Sequence, residues 1–466
     1  MDRKNEYYSL LSELDHTPPA LDNTVNRART RVKGMRRTRL LAIPVSSLFT
    51  FFIIFILMVN MSTSFALACA RIPLLRELTA AVAFSPSLSA AVKNEYVQII
   101  DMEQTENEIT MRIEYVIVDQ KQLHVFYTLS SGIYTHMTCH PVIDSSDNTP
   151  LEGFSVSFGD IDEQNDKLRR ITVDFVNNDI PDSLRLICKV FDRGSDTMEM
   201  PVPVKDDLVS RPEKNTEPEY ISVFEFLLPF DPAYTQQGDV INIDQTFVLD
   251  GQTLTATTVE IYPTHIRLNL KDDPGNTAWL KSLVFYLEDE NGKRFEQVSN
   301  GITATGSEDT PMMCSFRIES SFFSECRHLT LYIKEAIWLD KDMERIRVDL
   351  KNVTADALPE DVCFKAASRE GDNWYLTFTA KHRKDNALHQ LFTTDYYDES
   401  ESKYSFNGWS STNHSYFDEE TQMYAESQDV FEVQFALRSY PYDIVYLSPE
   451  YSRSVKLEQP VMINVK

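Results

Sequence analysis

Along most of the chain, apolar residues recur at every second position. Ile109, Met111, Ile113, Tyr115 and Ile117 alternate with polar neighbours, which places them on one face of a half-buried strand. Leu123, Val125, Tyr127 and Leu129 repeat the alternation after a turn at Asp119 to Gln122. Leu168 to Val176 and Leu184 to Val190 are further strand-like runs. Residues 201–219, rich in Pro and charge, break the pattern and are expected to be a linker. A second set of strands is expected from Tyr220 to Pro229 onward, with Asp250-Gly251 and Asn291-Gly292 as hairpin turns and Leu329 to Lys334 as the last strand of that unit. A third unit starts near Arg345. It includes Trp374 to Ala380, Val430 to Leu437 and Val455 to Leu457, and ends in a closing strand from Pro460 to Val465. Strands recurring every roughly 8–15 residues, with few long helical patterns, predict a mainly β protein built of tandem β-sandwiches.

The N-terminal part departs from this pattern. Residues 40–59 form an uncharged apolar run directly behind Arg27, Arg29, Arg31, Lys33, Arg36, Arg37 and Arg39. Twenty helical residues span the roughly 30 Å hydrocarbon core of a bilayer. The run therefore predicts a transmembrane helix, with the basic cluster held on the cytoplasmic side. Pro44 is tolerated in the first helical turn. Cleavage after Ala66-Leu67-Ala68 is the competing reading, but a secretory signal has a short basic leader and 39 residues precede this run. Ahead of it, Tyr7, Tyr8, Leu10, Leu11 and Leu14 have helix-like spacing. His16-Thr17-Pro18-Pro19 ends that helix, and a second helical stretch over residues 21–39 carries the basic cluster. This piece is too small for a core of its own. It is either a docking segment for a cytoplasmic partner or a tail that sets topology. Residues 72–92 are mildly apolar and expected to be helical in part.

Charge follows the same division. Residues 1–41 carry a net charge of +4 and the remainder −30, within a total of −26. Such an acidic exterior repels nucleic acid, so no nucleic-acid role is expected. All six cysteines (Cys69, Cys139, Cys188, Cys314, Cys326 and Cys363) follow the apolar run. They are too few for a disulfide framework in a chain this long. Pairing of Cys139 with Cys188, or Cys314 with Cys326, stands beside the alternative of buried free thiols.

No nucleophile elbow, phosphate-cradling glycine loop or HExxH pattern is present, and 13 glycines leave little material for such loops. His136, Cys139 and His140 offer metal ligands close together, yet on a strand residue 139 faces away from 136 and 140. Asp160, Asp162, Glu163 and Asp166 lack the glycine and distal glutamate of a calcium-binding EF-hand. Tyr396, Tyr397, Tyr404, Phe406, Trp409, Tyr416, Phe417 and Tyr424 suit a recognition surface and an ordinary sheet equally. The expectation is a non-enzyme with no cofactor and no metal.

Three stretches resemble a Gram-positive family of membrane-anchored, anti-sigma-factor-like regulators. They are Tyr8-Ser9-Leu10-Leu11 with Asp15 ahead of the basic run; Phe65-Ala66, Ile72-Pro73 and Glu95-Tyr96-Val97-Gln98 behind it; and Leu249-Asp250-Gly251-Gln252, Glu260-Ile261-Tyr262-Pro263-Thr264 and Ala304-Thr305-Gly306 in the second unit. The resemblance implies an immunoglobulin-like fold for that unit. It also implies a cytoplasmic segment that holds an extracytoplasmic-function sigma factor, and outer domains that receive a signal. No HxxxCxxC motif of the zinc type precedes the apolar run.

The expected organisation is a cytoplasmic helical segment (1–39), a transmembrane helix (40–61), a juxtamembrane segment (62–95), a first β-domain (96–200), a linker (201–219), a second, immunoglobulin-like β-domain (220–340) and a third β-domain (341–466). The expected function is a single-pass membrane regulator in the cell membrane, N-terminus inside. Tyr7, Tyr8, Leu10, Leu11 and Leu14 would bind the cytoplasmic partner, and the extracytoplasmic domains an unknown ligand. The alternative is a surface-anchored adhesion protein with no signalling role.

Overall fold

The computed structural model describes residues 3–14, 78–146, 151–158, 167–176, 178–192, 220–235, 238–298, 304–306, 310–381, 391–405, 409–418 and 423–466, excepting the side chains of 13–14 and 409–431. The apolar run and its basic cluster lie outside these residues. Among the described residues, no helix is long and apolar enough to cross a membrane. Residues 1–76 and 77–466 form two separate compact bodies, and the three β-units all lie in the second. The first contains helix α1 (Arg3–Leu14). The second is mainly β, with several antiparallel sheets and few helices.

The first β-unit opens on α2 (Pro86–Lys93), whose N-cap Ser85 accepts from Leu88 N–H and whose Pro86 suits a first turn that has no N–H partner to lose. Among the described residues the strands that follow are β1 (Gln98–Glu106), β2 (Ile109–Val118), β3 (Gln122–Ser131), β4 (Met137–Ser145), β5 (Phe154–Phe158), β6 (Arg169–Phe175), β7 (Ser183–Asp192) and β8 (Ser222–Pro229). They form one sheet in the order β1-β2-β3-β6-β5 and another in the order β4-β7-β8. The alternation read from sequence sets the faces: Ile109, Met111 and Ile113 turn inward, while Arg112 and Glu114 turn out. Both sheets contribute to one apolar core, with Leu123 and Val125 from the first and Leu186, Phe224 and Phe226 from the second.

After the short α3 (Pro232–Thr235) come β9 (Asp239–Leu249), β10 (Gln252–Ile261), β11 (Ile266–Asp272), β12 (Ala278–Asp289), β13 (Arg294–Phe295), β14 (Ala304–Gly306), β15 (Met313–Ile318) and β16 (Leu329–Asp340). The β9–β10 hairpin turns at Asp250 and Gly251, both with positive φ, as a tight two-residue turn requires. One sheet runs β14-β15-β11-β10-β9. Then β17 (Ile346–Asp349), β18 (Thr354–Ala355), β19 (Val362–Glu370), β20 (Asn373–Lys381), β21 (Phe392–Tyr397), β22 (Lys403–Ser405), β23 (Trp409–Asp418), β24 (Met423–Leu437) and β25 (Ile444–Pro449) make two further sheets, β18-β17-β25-β21-β22 and β19-β20-β24-β23. Their shared core is built on Trp374, Phe378, Phe392 and Phe435.

The last strand, β26 (Arg453–Asn464), does not stay with this third unit. It returns to pair antiparallel with β16, completing the sheet β13-β12-β16-β26, and Ile463 joins the core of the second unit. The third unit is thus inserted between β16 and β26, and the expected third domain over 341–466 loses its closing strand. Arg453 ties the two ends of the insertion: it pairs with Asp340 and reaches Asp250 of the β9–β10 turn at 2.9 Å. A second correction concerns β8. Expected as the opening strand of the second unit, it pairs instead with β7 through eight residues, Val190↔Ser222 to Ser183↔Pro229. Alternation shows which residues of a strand face inward; it carries no information about which neighbour supplies the hydrogen bonds.

Candidate functional site: an exposed helix and a buried joint

Helix α1 carries the residues expected to meet a cytoplasmic partner. Tyr7, Tyr8, Leu10 and Leu11 are all exposed, Tyr8 by 64 % and Leu11 by 41 %. Leu14 ends the helix, and its side chain lies outside the described residues. Positions 7, 10, 11 and 14 follow the i, i+3, i+4, i+7 spacing that aligns side chains on one face. Every described side chain of α1, polar and apolar alike, is exposed. The topology residues Arg27, Arg29, Arg31, Lys33, Arg36, Arg37 and Arg39 lie outside the described residues.

The second feature was not expected from sequence. Asp119, at the β2–β3 turn, is fully buried against the loop that leads from β10 into β11. Its Oδ1 accepts from Lys121 N–H at 2.9 Å and Gln122 N–H at 2.8 Å, which fixes its own turn. Its Oδ2 accepts from Thr264 N–H at 3.0 Å and Thr264 Oγ1 at 2.5 Å. Burial raises the Asp119 pKa, but His265, Thr264 and the turn N–H outweigh it and hold the carboxyl down at about 2.

Beside this pair, Arg267 of β11 crosses into the first unit. Its Nη2 donates to Asp174 Oδ1 at 2.5 Å and to the Phe175 carbonyl at 2.6 Å, and its Nη1 donates to the Val176 carbonyl at 3.1 Å. Arg267 therefore caps the end of β6 and pairs with a β6 carboxylate at once. Arg317 of β15 donates Nε–H to Asp174 Oδ2 at 2.8 Å, with Nη1 on Ser315 Oγ at 2.7 Å. Burial pulls the Arg317 pKa down, against the attraction of Asp174. Asp174 thus holds two arginines, and all three side chains are at most 2 % exposed. Such a cluster adds little net stability over apolar packing, but removing one member leaves an uncompensated buried charge, which costs about 3–5 kcal/mol.

Close packing and helix capping extend the joint. A Cβ on Gly238 would stand 2.6 Å from the Tyr262 ring, so only glycine fits there. Glu319, just past β15, receives Ser87 N–H at 2.7 Å at the first turn of α2, and pairs with Ser87 Oγ as well. A carboxylate at a helix N-terminus is favoured by the helix dipole. Burial nevertheless raises the Glu319 pKa, with Ser87 and Ser85 pulling it back. Tyr96 donates to the Tyr234 carbonyl and packs its ring edge-on against Tyr234 and Phe323. Gln98 donates to the Pro229 carbonyl at 2.8 Å and accepts from Asp231 N–H at 3.1 Å.

Two family models match. Residues 35–131 match a domain of unknown function, DUF4179, and residues 238–362 match a family of unknown function, DUF5643. The joint lies between them: Asp119 falls in the first range, and Thr264, His265, Arg267 and Arg317 fall in the second. β26 completes a sheet of the DUF5643 region from outside its matched residues. No curated protein matched the chain. Among solved structures, the crystal structure of a conserved domain protein from Bacillus anthracis aligns with 56 % of this chain and 84 % of its own, at 14 % identity and a TM-score of 0.37. That likeness is too distant to bear on function.

The other sequence candidates come apart. Cys139 is buried on β4, while His140 packs its ring against Phe158 and Phe191. Among the described residues, no group of three or more His, Cys, Asp or Glu is placed to hold a metal. Asp160, Asp162, Glu163 and Asp166 lie outside the described residues. Cys139, Cys188, Cys314, Cys326 and Cys363 are free thiols. Burial and contact with Cys139 push the Cys188 thiol up. Of the aromatic segment, Tyr396 is a core residue of the third unit, stacked on Tyr404. The side chains of Phe406, Trp409, Tyr416, Phe417 and Tyr424 lie outside the described residues.

Proposed function

We propose that the chain is a single-pass membrane regulator resembling an anti-sigma factor. Residues 40–61 cross the membrane, with the N-terminus in the cytoplasm, and the β-units lie outside as immunoglobulin-like sandwiches. The observation that carries the reading is the exposed stripe of α1, ahead of a basic cluster and an apolar run long enough to span a bilayer. In this account Tyr7, Tyr8, Leu10, Leu11 and Leu14 hold an extracytoplasmic-function sigma factor, and the outer units bind an extracytoplasmic ligand or protein. The role requires no catalysis, cofactor or nucleic acid.

The joint supports this reading mechanically. α2, Tyr96 and the Asp174 cluster tie the first β-unit to the DUF5643 region through buried polar bonds, so the two would move together under load. Replacing residues 1–38 with an unrelated basic tail should release the sigma factor and raise sigma-dependent transcription to the level seen when the gene is deleted. Transcription that stays at the wild-type level would contradict it.

Surface adhesion is the second reading. It is favoured by a shallow cleft of about 180 Å³ on the third unit, lined by Asp398, Glu399, Ser400, Tyr442, Asp443 and Ile444. In that case the tail replacement leaves every function intact.

A further inference from the structure

At the centre of the joint, His265 has a protonation state set by its neighbours. Arg267 donates Nε–H to His265 Nε2 at 3.0 Å. A guanidinium only donates, so Nε2 must offer a lone pair; the imidazole is neutral, with its proton on Nδ1. Nδ1 lies 2.9 Å from Thr264 Oγ1 and 3.6 Å from Asp119 Oδ2. The ring is fully buried.

Every packed element presents a charged or titratable group to this ring. The β2–β3 turn brings Asp119, β3 brings His124, β6 brings Asp174, the turn before β11 brings Tyr262, β11 brings Arg267, and β15 brings Arg317 behind Asp174. Asp119 and Asp174 balance Arg267 and Arg317. His124 is held neutral by burial, its ring nitrogens 3.0 Å from Thr172 Oγ1 and 2.9 Å from Gln122 Oε1. A second proton on His265 therefore adds an unmatched positive charge. It also turns the acceptor of Arg267 into a donor, so that two N–H groups face each other. Asp119 cannot easily compensate, because both its oxygens already accept from Lys121, Gln122 and Thr264.

We propose that His265 is a proton-operated latch: its protonation opens the joint between the first and second β-units. The latch adds to the sigma-factor reading and does not depend on it. Burial holds the His265 pKa below its ordinary value, Asp119 pulling against it and Arg267 adding to it. The opened joint, with a solvated imidazole, then binds more protons than the closed one as pH falls below about 6.5. The joint is at full strength above that pH and weakens below it.

Hydrogen exchange of the full chain at about pH 7.5 and about pH 5.5, with times scaled for the intrinsic pH dependence, tests this. Segments 119–126, 172–176 and 262–268 should lose up to about tenfold in protection at the lower pH, which lies about one unit below the ordinary imidazole pKa of about 6.5 at which the opened joint takes up its proton. Core strands β2 and β12 should not change. In His265→Gln, whose amide accepts from Arg267 and donates to Thr264 without titrating, the loss should shrink below about twofold. Equal protection of the wild type at both pH values, or an undiminished loss in the variant, overturns the latch. If the variant loses protection throughout at about pH 7.5, the nitrogen-15 spectrum of His265 in the wild type decides. A neutral ring protonated on Nδ1, becoming imidazolium only as the joint opens, supports the proposal. An imidazolium already present at about pH 7.5, or one that forms at about pH 5.5 while these segments keep their protection, overturns it.

Discussion

At the residue scale, magnitudes separate the ion pairs that matter from those that do not. Arg112 contacts Asp101, Glu103 and Glu114 in a half-exposed cluster. Solvent-screened pairs of this kind contribute about 0–1 kcal/mol each. Asp174 is different, because it is fully buried between Arg267 and Arg317. Asp174→Asn removes the only negative charge touching either guanidinium among the described residues, and should cost about 3–5 kcal/mol. A drop in the urea midpoint of the purified chain would show this; a loss under about 1 kcal/mol would contradict it. Gly238→Ala should cost about 1–3 kcal/mol by pressing a methyl group into the Tyr262 ring. Gly132→Ala is the control, since a Cβ there meets nothing within 4 Å and should leave the midpoint unchanged.

At the element scale, the strands were legible in the sequence and their partners were not. β2 and β3 lie where the alternation placed them, but it reports the core face of β2 only as far as Ile113: a register shift before Tyr115 turns Val116 and Val118 into the core, and β3 is buried on both faces through His124 and Phe126. The turns at Asp250-Gly251 and Asn291-Gly292 were legible because hairpins need positive φ, which Asp250, Gly251 and Gly292 adopt. The pairing of β8 with β7 and of β26 with β16 was hidden, because long-range register depends on cores that form only after distant segments meet. The joint was hidden for a related reason. Tyr262, Pro263 and Thr264 stood out only through a family resemblance, and nothing local to Asp119, Asp174, Arg267 or Arg317 announces that they converge. The return of β26 gives a prediction of its own. Ending the chain after Ser452 removes Ile463 and Val465 from the second core and bares the edge of β16. The second unit should then lose protection from hydrogen exchange and aggregate, whereas an insertion with an independent core would keep β19 and β20 protected. Equal protection of β12 and β16 with and without the last strand would contradict this.

At the scale of the whole molecule, the buried joint sets an acid response. His265 and Asp119 both have pKa values below their ordinary ones. For each, the unfolded chain binds more protons, so stability is complete above the ordinary value and falls as pH drops through the window beneath it. The urea midpoint should therefore decline in two stages: below about 6.5 from His265, then from about 3.8 down to the Asp119 value of about 2. Glu319 works in the other direction. Its raised pKa stabilises the fold below about 4.5 and this contribution is lost as pH rises. A midpoint that is flat between about pH 7 and about pH 5 would argue against the His265 contribution. The charge division, +4 over residues 1–41 and −30 over the rest, fits a chain that meets different surroundings at its two ends. The claim that the short end holds a sigma factor is tested most directly by isolating the full-length protein from membranes and measuring the sigma factor bound to it, beside a Leu10→Glu, Leu11→Glu variant. The account predicts a stoichiometric sigma factor on the wild type and at least about a tenfold loss on the variant, since burying each leucine contributes about 2 kcal/mol. Absence of a sigma factor from the wild type, or equal amounts on both proteins, would contradict it.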